Sequence, residues 1–247
     1  MAGDPAEDGP DRPPRLKTTY GRRLGRPLKP SQRRLQAELL PRLSLPVPLG
    51  TEPLDLARLF GRTPDRLWIE LGFGGGEHLA WQAAAHPDVS FIAAEFFMNG
   101  IASLLGHLER QGTRNVRILP DDGRPLLGLL PEAGVERAFI LFPDPWPKRR
   151  HWRRRIVQPE TLDALARILA DGAELRIATD DPGYLEWILR HVLASEHFAW
   201  PARAPRDWSD RPGDWPATRY EEKAVRAGRK PCFLTFRRRA RGAPVSR

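Results

Sequence analysis

At 247 residues the chain is long enough for one sizeable domain with a buried core. Its 40 Lys and Arg against 31 Asp and Glu leave a formal charge of +9, which serves solubility but also suits an anionic partner, nucleic acid first. A single cysteine, Cys232, excludes an internal disulfide and argues against a cysteine-built metal site, and no apolar run approaches the roughly 18 residues of a membrane span.

The start, "MAGDPAEDGPDRPP", is acidic and proline-rich with no hydrophobic stretch, so it is not expected to be a signal peptide. Residues 1–35 hold few large apolar side chains and many Pro, Gly and Arg, and are expected to form a flexible basic arm. The rest, 36–247, is expected to be one domain ending in a short basic tail.

From about residue 51 the pattern becomes regular. "RLWIEL" (66–71) predicts a buried strand, and "EHLAWQAAAH" a helix. "VSFIAAE" (89–95) is a second strand, followed by "MNGIASLLGHLERQG", whose apolar residues recur at helical spacing. "NVRILP" (115–120) and "ERAFILF" (136–142) give strands three and four. "PETLDALARILADG" predicts a helix opened by Pro159 and closed by Gly172. A fifth strand at 173–179, a helix "YLEWILRHVLASE" and a last strand at 232–238 complete the pattern. Strands alternating with helices imply an α/β fold with a largely parallel sheet, whose ligands gather beyond the carboxyl ends of the strands.

The strand ends therefore carry the functional reading. After strand one comes "ELGFGGGEH", with Glu70, Gly72, Gly74 and Gly76 spaced G-x-G-x-G, not as in dinucleotide binders. Glycines allow a sharp turn and a close backbone approach to a ligand; a purely structural strand-to-helix turn would use them too. Strand two ends in Glu95, placed to accept from two ribose hydroxyls, and strand three runs into Asp121–Asp122, placed to meet an adenine amino group. Each acid alone is most simply a surface charge or helix cap. Acids at three successive strand ends favour a nucleoside that carries positive charge and no phosphate, of which S-adenosylmethionine is the common example.

Strand four delivers "LFPDPWPKRRHWRRR". Pro143 and Pro145 hold Asp144 in an extended pose. Six Lys or Arg between 148 and 155, interleaved with His151 and Trp152, suit RNA phosphates and base stacking, although a solvated charged face has the same composition. Strand five ends in Asp180. By itself "TRYEEKAVRAGR" (218–229) predicts a polar surface turn, and residues 200–217 leave open whether they form a lid.

Taken together, "ELGFGGGEH", "FIAAE", "LFPDPWPKRRHWRRRIVQPETLDALARIL", "LRIATD" and "TRYEEKAVRAGR" resemble the bacterial tRNA (guanine-N7-)-methyltransferases of the TrmB family over roughly residues 65–238. The resemblance implies a class I, Rossmann-like S-adenosylmethionine-dependent methyltransferase with a seven-stranded, mostly parallel sheet. It implies methyl transfer from S-adenosylmethionine to guanine N7 in the tRNA variable loop, giving 7-methylguanosine. The lone cysteine fits a reducing cytoplasm, this chemistry needs no metal, and no obligatory protein partner is expected.

Carried over by motif, Glu70, Glu95, Asp122 and Asp144 line the cofactor pocket with Gly72 and Gly74, and Asp144 is also the residue assigned catalysis. Lys148, Asp180, Thr218, Arg219, Tyr220 and Glu221 contact the target nucleoside. Arg150, His151, Trp152, Arg153, Arg154 and Arg155 form the tRNA-contacting stretch. The chain departs from the family pattern at Gly75, Pro147 and Asp181, where Asn, His and an aromatic are frequent.

Three other readings remain at this point. A methyltransferase for an exocyclic amino group is disfavoured because Asp144 splits the two prolines. A tRNA-binding protein without catalysis is disfavoured by the intact set of acids. A nicotinamide dehydrogenase is disfavoured by the glycine spacing and the basic run.

Overall fold

The computed structural model describes residues 21–242. The acidic start, the first part of the predicted arm (1–20) and the end of the basic tail (243–247) lie outside the described residues.

Helices α1 (Pro30–Glu38), α2 (Leu40–Leu43) and α3 (Leu56–Phe60) precede the sheet. Then β1 (Leu67–Leu71), α4 (Glu77–Ala85), β2 (Ser90–Ala94), α5 (Met98–Gln111), β3 (Val116–Leu119), α6 (Arg124–Leu127) and β4 (Val135–Leu141) alternate. A basic 3₁₀ turn (Arg149–Arg154) leads to α7 (Pro159–Ile168), β5 (Leu169–Thr179) and α8 (Pro182–Ala194). The short β6 (Phe198–Ala199), α9 (Arg206–Ser209), α10 (Arg219–Arg226) and β7 (Cys232–Arg238) close the fold.

The seven strands run in the order β3-β2-β1-β4-β5-β7-β6. Neighbours from β3 to β5 are parallel, and β7 is antiparallel to both β5 and β6. This is the expected class I architecture. All five residues of β1 and of β2 are buried, because helices cover both faces of a parallel sheet. That is why these strands read as unbroken apolar runs. Leu35, Leu79, Leu104, Leu105 and Leu108 from α1, α4 and α5 pack one face; Leu126, Leu162, Leu165 and Ile188 from α6, α7 and α8 pack the other. Each fully buried Leu or Ile contributes roughly 1.5–3 kcal/mol over an exposed one.

Strand order reverses between β1 and β4, and a crevice opens at the carboxyl ends of strands on either side of such a switch point.

Three boundaries differ from the sequence-based ones. Helix α7 stops at Ile168 instead of Gly172, because Leu169 is already extended and pairs with Val135. The ladder then shifts to Arg137 opposite Glu174, and Gly172, at φ +80°, turns the irregular stretch between. The sequence-based boundary at residue 35 falls inside α1, where Leu35 is buried. Asn99 of α5 clasps the segment before it, accepting from Gly25 N–H at 2.8 Å and donating to the Arg26 carbonyl at 2.7 Å. Finally, residues 219–226 are the helix α10, not a polar turn.

Candidate active site

Glu70 sits near the end of β1, in register with Ala93 of β2 and Phe139 of β4, and is 2% exposed. A buried acid needs a partner, and His78 Nδ1, in the first turn of α4, lies 2.7 Å from its Oε2. The loop between them turns on Gly72, Gly74 and Gly76, with φ of +77°, +55° and +77°. Only glycine adopts this left-handed region without steric penalty. Glu95, after β2, accepts from the Gly74 N–H at 2.7 Å and the Phe97 N–H at 2.8 Å, so it ties the glycine loop to the start of α5. Burial pushes its carboxyl upward, against the pull of those N–H groups. The loop also needs Gly100 of α5: a Cβ there would stand 2.1 Å from the Gly74 carbonyl oxygen.

Asp122 is held by Arg124, whose Nη2 is 2.5 Å from Oδ2 and whose backbone N–H is 2.9 Å from Oδ1. Asp121 Oδ1 in turn accepts from the Asp122 N–H at 2.8 Å.

The loop after β4 is strained on both sides of Asp144. Phe142 (φ +50°) and Trp146 (φ +43°) are non-glycine residues in the left-handed region, and such outliers need surrounding structure to hold them. Arg155 supplies part of it. It is 3% exposed, donates through Nε to the Pro145 carbonyl at 2.8 Å, and lies 4.7–5.1 Å from the rings of Trp152, Tyr184 and Trp187. Arg154 covers the Trp146 ring at 4.9 Å. The Asp144 carboxylate accepts no hydrogen bond from the described residues and does not cap the 3₁₀ turn, whose N-cap is Lys148. It opens to the cleft, yet the protein packed around it still pushes its carboxyl upward by burial.

Thr218 caps α10 by accepting from the Glu221 N–H, and the first turn of that helix brings Tyr220 against Gly74, where a Cβ would be 2.7 Å from the ring. Arg219 pairs with Glu77 at 2.9 Å and lies over Gly75, so closely that a Cβ there would be 2.0 Å from Nη2. The missing side chain at 75 therefore makes room for this guanidinium. Asp181, another departure, caps α8 by accepting from the Tyr184 N–H at 2.8 Å.

Glu70, Gly72, Gly74, Glu95, Asp122, Asp144, Thr218 and Tyr220 meet around one cavity of about 370 Å³, with Arg154 at its wall. The other sequence-based candidates stand outside that lining. Asp180 is engaged by Arg229 at 2.6 Å and Glu221 by Arg211 at 3.1 Å. Lys148, Arg150 and Arg153 are exposed beside the cavity, and His151 stands edge-on to Trp146. Arg155 is a correction: it is enclosed by aromatic rings beneath the Asp144 loop and offers no charge to a surface ligand. Sequence reasoning missed Gly100, His78 and the Gly21–Arg22 stretch that also lines the cavity. A glycine inside an amphipathic helix was the one available signal.

Chemically, the cavity joins the buried or half-buried Glu70, Glu95 and Asp122 to Asp144, which accepts no hydrogen bond from the described residues, beside a cationic surface. Among the described residues, no group of three or more His, Cys, Asp or Glu side chains could hold a metal ion, and no helix is long and apolar enough to cross a membrane.

A protein-family model described as a putative methyltransferase matches residues 64–234. The chain is 52% identical to the tRNA (guanine-N(7)-)-methyltransferase of Rhodospirillum rubrum, over 95% of this chain and 92% of that protein. It is 51% identical to the protein of the same name from Paramagnetospirillum magneticum, over 90% and 93% of the two chains. For that of Brucella melitensis biotype 1 the identity is 43%, over 89% and 94%. Among solved structures, an rRNA methylase from Streptococcus thermophilus superposes with a TM-score of 0.50 at 14% identity, covering 75% of this chain and 92% of that one. The 16S rRNA methyltransferase KamB gives 0.50 at 17%, covering 76% and 95%. At such identities these two speak for the fold alone.

Proposed function

The chain belongs to the tRNA (guanine-N(7)-)-methyltransferase family, and from that premise we propose that it transfers the methyl group of S-adenosylmethionine to N7 of a guanine in the tRNA variable loop. The observation that carries the reading is the convergence of Glu70, Glu95, Asp122 and Asp144 on one cavity at the strand ends, with a cationic turn beside it.

The cavity fits the donor. Its volume lies within the roughly 300–1,000 Å³ of small-molecule sites. Glu70 and Glu77 flank its glycine loop, where a diphosphate binder needs donors. In this reading Glu70 and Asp144 face the cationic end, Glu95 accepts from the ribose hydroxyls, and Asp122, steadied by Arg124, receives the adenine amino group. S-adenosylmethionine, when bound, supplies a methyl group activated by the positive charge on sulfur.

The chain's own task is alignment. Guanine N7 has an exposed lone pair at neutral pH and needs no general base. Positioning alone lowers such barriers by roughly 7–11 kcal/mol in favourable cases. N7 methylation also makes the purine cationic. Asp144, fixed by its two prolines and bonded to no described neighbour, accepts from the N–H groups of the guanine Watson–Crick edge and stabilises that charge in a partly desolvated cleft. Tyr220, against Gly74, lines the same cavity. Lys148, Arg150, Arg153 and Arg154, with His151 and Trp152, take the phosphates and bases of the loop. Asp180, Thr218, Arg219 and Glu221 act through α10, each already bonded within the protein. The compartment this implies is the cytoplasm, where tRNA is matured.

Digestion of tRNA treated with the protein and S-adenosylmethionine, followed by nucleoside mass spectrometry, tests the reading. The expected product is 7-methylguanosine; a methylated exocyclic amine in its place would overturn it.

A further inference from the structure

From His78, which lines the cavity beside Glu70, a chain of buried polar groups runs into the protein that methyl transfer as described does not use. His78 (3% exposed) and Gln82 (0%) are successive turns of α4. Gln82 Nε2 lies 2.7 Å from the Asp214 carbonyl oxygen and 3.2 Å from His78 Nε2. A carbonyl only accepts, so the amide nitrogen must face it, and its second N–H falls to His78 Nε2. With Nε2 accepting, the imidazole N–H is on Nδ1 and donates to Glu70 Oε2 at 2.7 Å. One proton arrangement satisfies every contact from Glu70 to Asp214.

The far end of this chain is equally constrained. The Asp214 carboxylate pairs with Arg176 at 2.8 Å and Arg137 at 3.3 Å. Trp215, 3% exposed, stands edge-on to the His78 ring at 5.8 Å. Three residues later Thr218 caps α10 and Tyr220 reaches Gly74, both at the cavity wall. Arg211, just before this segment, pairs with Glu221 and so fastens α10 to it. Gln82 Oε1 is buried and has no partner among the described residues. A leucine or methionine would fill the same place without stranding an oxygen, so the amide nitrogen is what the site needs.

We propose that His78 and Gln82 form a positioning relay: His78 aims the Glu70 carboxylate into the methyl-donor cavity, and Gln82 sets the height of the segment that brings Thr218 and Tyr220 to its wall. Glu70 Oε1, bonded by none of the described residues, is the atom left for the donor. One helix thus registers the donor site and the nucleoside site against each other. This rests on the S-adenosylmethionine reading above.

The relay is tested by calorimetric titration of S-adenosylmethionine into the full-length protein and by steady-state kinetics with tRNA, with a melting midpoint taken for each variant. The wild type binding no S-adenosylmethionine would overturn the function proposed above, and the relay with it. H78F, a ring of similar size with no donor, is expected to raise the donor Kd by about tenfold or more. H78N, whose amide nitrogen can stand where Nδ1 stands, is expected to restore binding to within about threefold of wild type, a rescue that filling space alone does not produce. Q82M, a near-isostere, is expected to leave the donor Kd within about threefold and raise KM for tRNA by about tenfold; it keeps the relay falsifiable should H78F not fold. Donor affinity unchanged in folded H78F, H78N no better than H78F, or a wild-type tRNA KM in Q82M would each overturn it.

Discussion

The Asp144 carboxylate is held between Pro143 and Pro145, flanked by the strained Phe142 and Trp146, and left without a hydrogen bond from the described residues. Burial raises its pKa, and that of Glu95, above the ordinary carboxylate range. The sign follows. A carboxyl whose folded pKa is raised holds more protons folded than unfolded, so it detracts from stability as pH rises from the ordinary carboxylate range through the raised value. Asp144 therefore works at a cost to the fold, as function-bearing groups often do. Asp144→Asn should keep a melting midpoint at neutral pH no lower than wild type while kcat falls by roughly 10²–10³-fold. In the wild type, kcat/KM should fall on the acid side with an apparent pKa above the ordinary carboxylate value. Near-wild-type turnover in the Asn variant would remove Asp144 from its role. Gly100 makes a second prediction at this scale. Gly→Ala inside a helix ordinarily gains about 1 kcal/mol, but here the Cβ would meet the Gly74 carbonyl at 2.1 Å. Gly100→Ala should instead lose roughly 1–3 kcal/mol in thermal denaturation and weaken donor binding in calorimetry.

Among elements, the basic 3₁₀ turn divides cations that look alike in sequence. Arg153 is exposed beside the cavity, whereas Arg155 supports the Pro145 carbonyl from within an aromatic cage. Arg153→Ala should weaken tRNA binding and lower the salt slope of log K by about 1, leaving donor affinity and melting unchanged. Arg155→Ala should leave the salt slope alone and cost roughly 2–3 kcal/mol in stability. Equal salt effects from the two would show that the division is wrong. The partners that distinguish Arg155 include Tyr184 and Trp187, some 30 residues further along the chain, which no local pattern reveals. Helix α10 was hidden for a related reason. It buries little besides Ala224, so its residues carry no apolar stripe, and it is held by the Thr218 cap and the Arg211–Glu221 pair.

For the whole molecule, what was legible follows the hydrophobic effect. Strands buried on both faces spell continuous apolar runs, and their ends put Glu70, Glu95, Asp122 and Asp144 on one edge of a parallel sheet. What the sequence hid was long-range pairing: Gln82 meets Asp214 across 132 residues, and Asn99 clasps Gly25 across 74. The excess of nine positive charges is likewise visible in composition, whereas its focus beside the cavity needed the fold.

The central claim is that this acid-lined cavity methylates guanine N7 in a tRNA loop. It is tested most directly by incubating the protein with labelled S-adenosylmethionine and two unmodified tRNA transcripts, one with and one without the variable-loop guanine, then treating them with borohydride and aniline. Label is expected only in the guanine-bearing transcript, with strand scission at that guanine. Label without scission, or equal label in both transcripts, would contradict it.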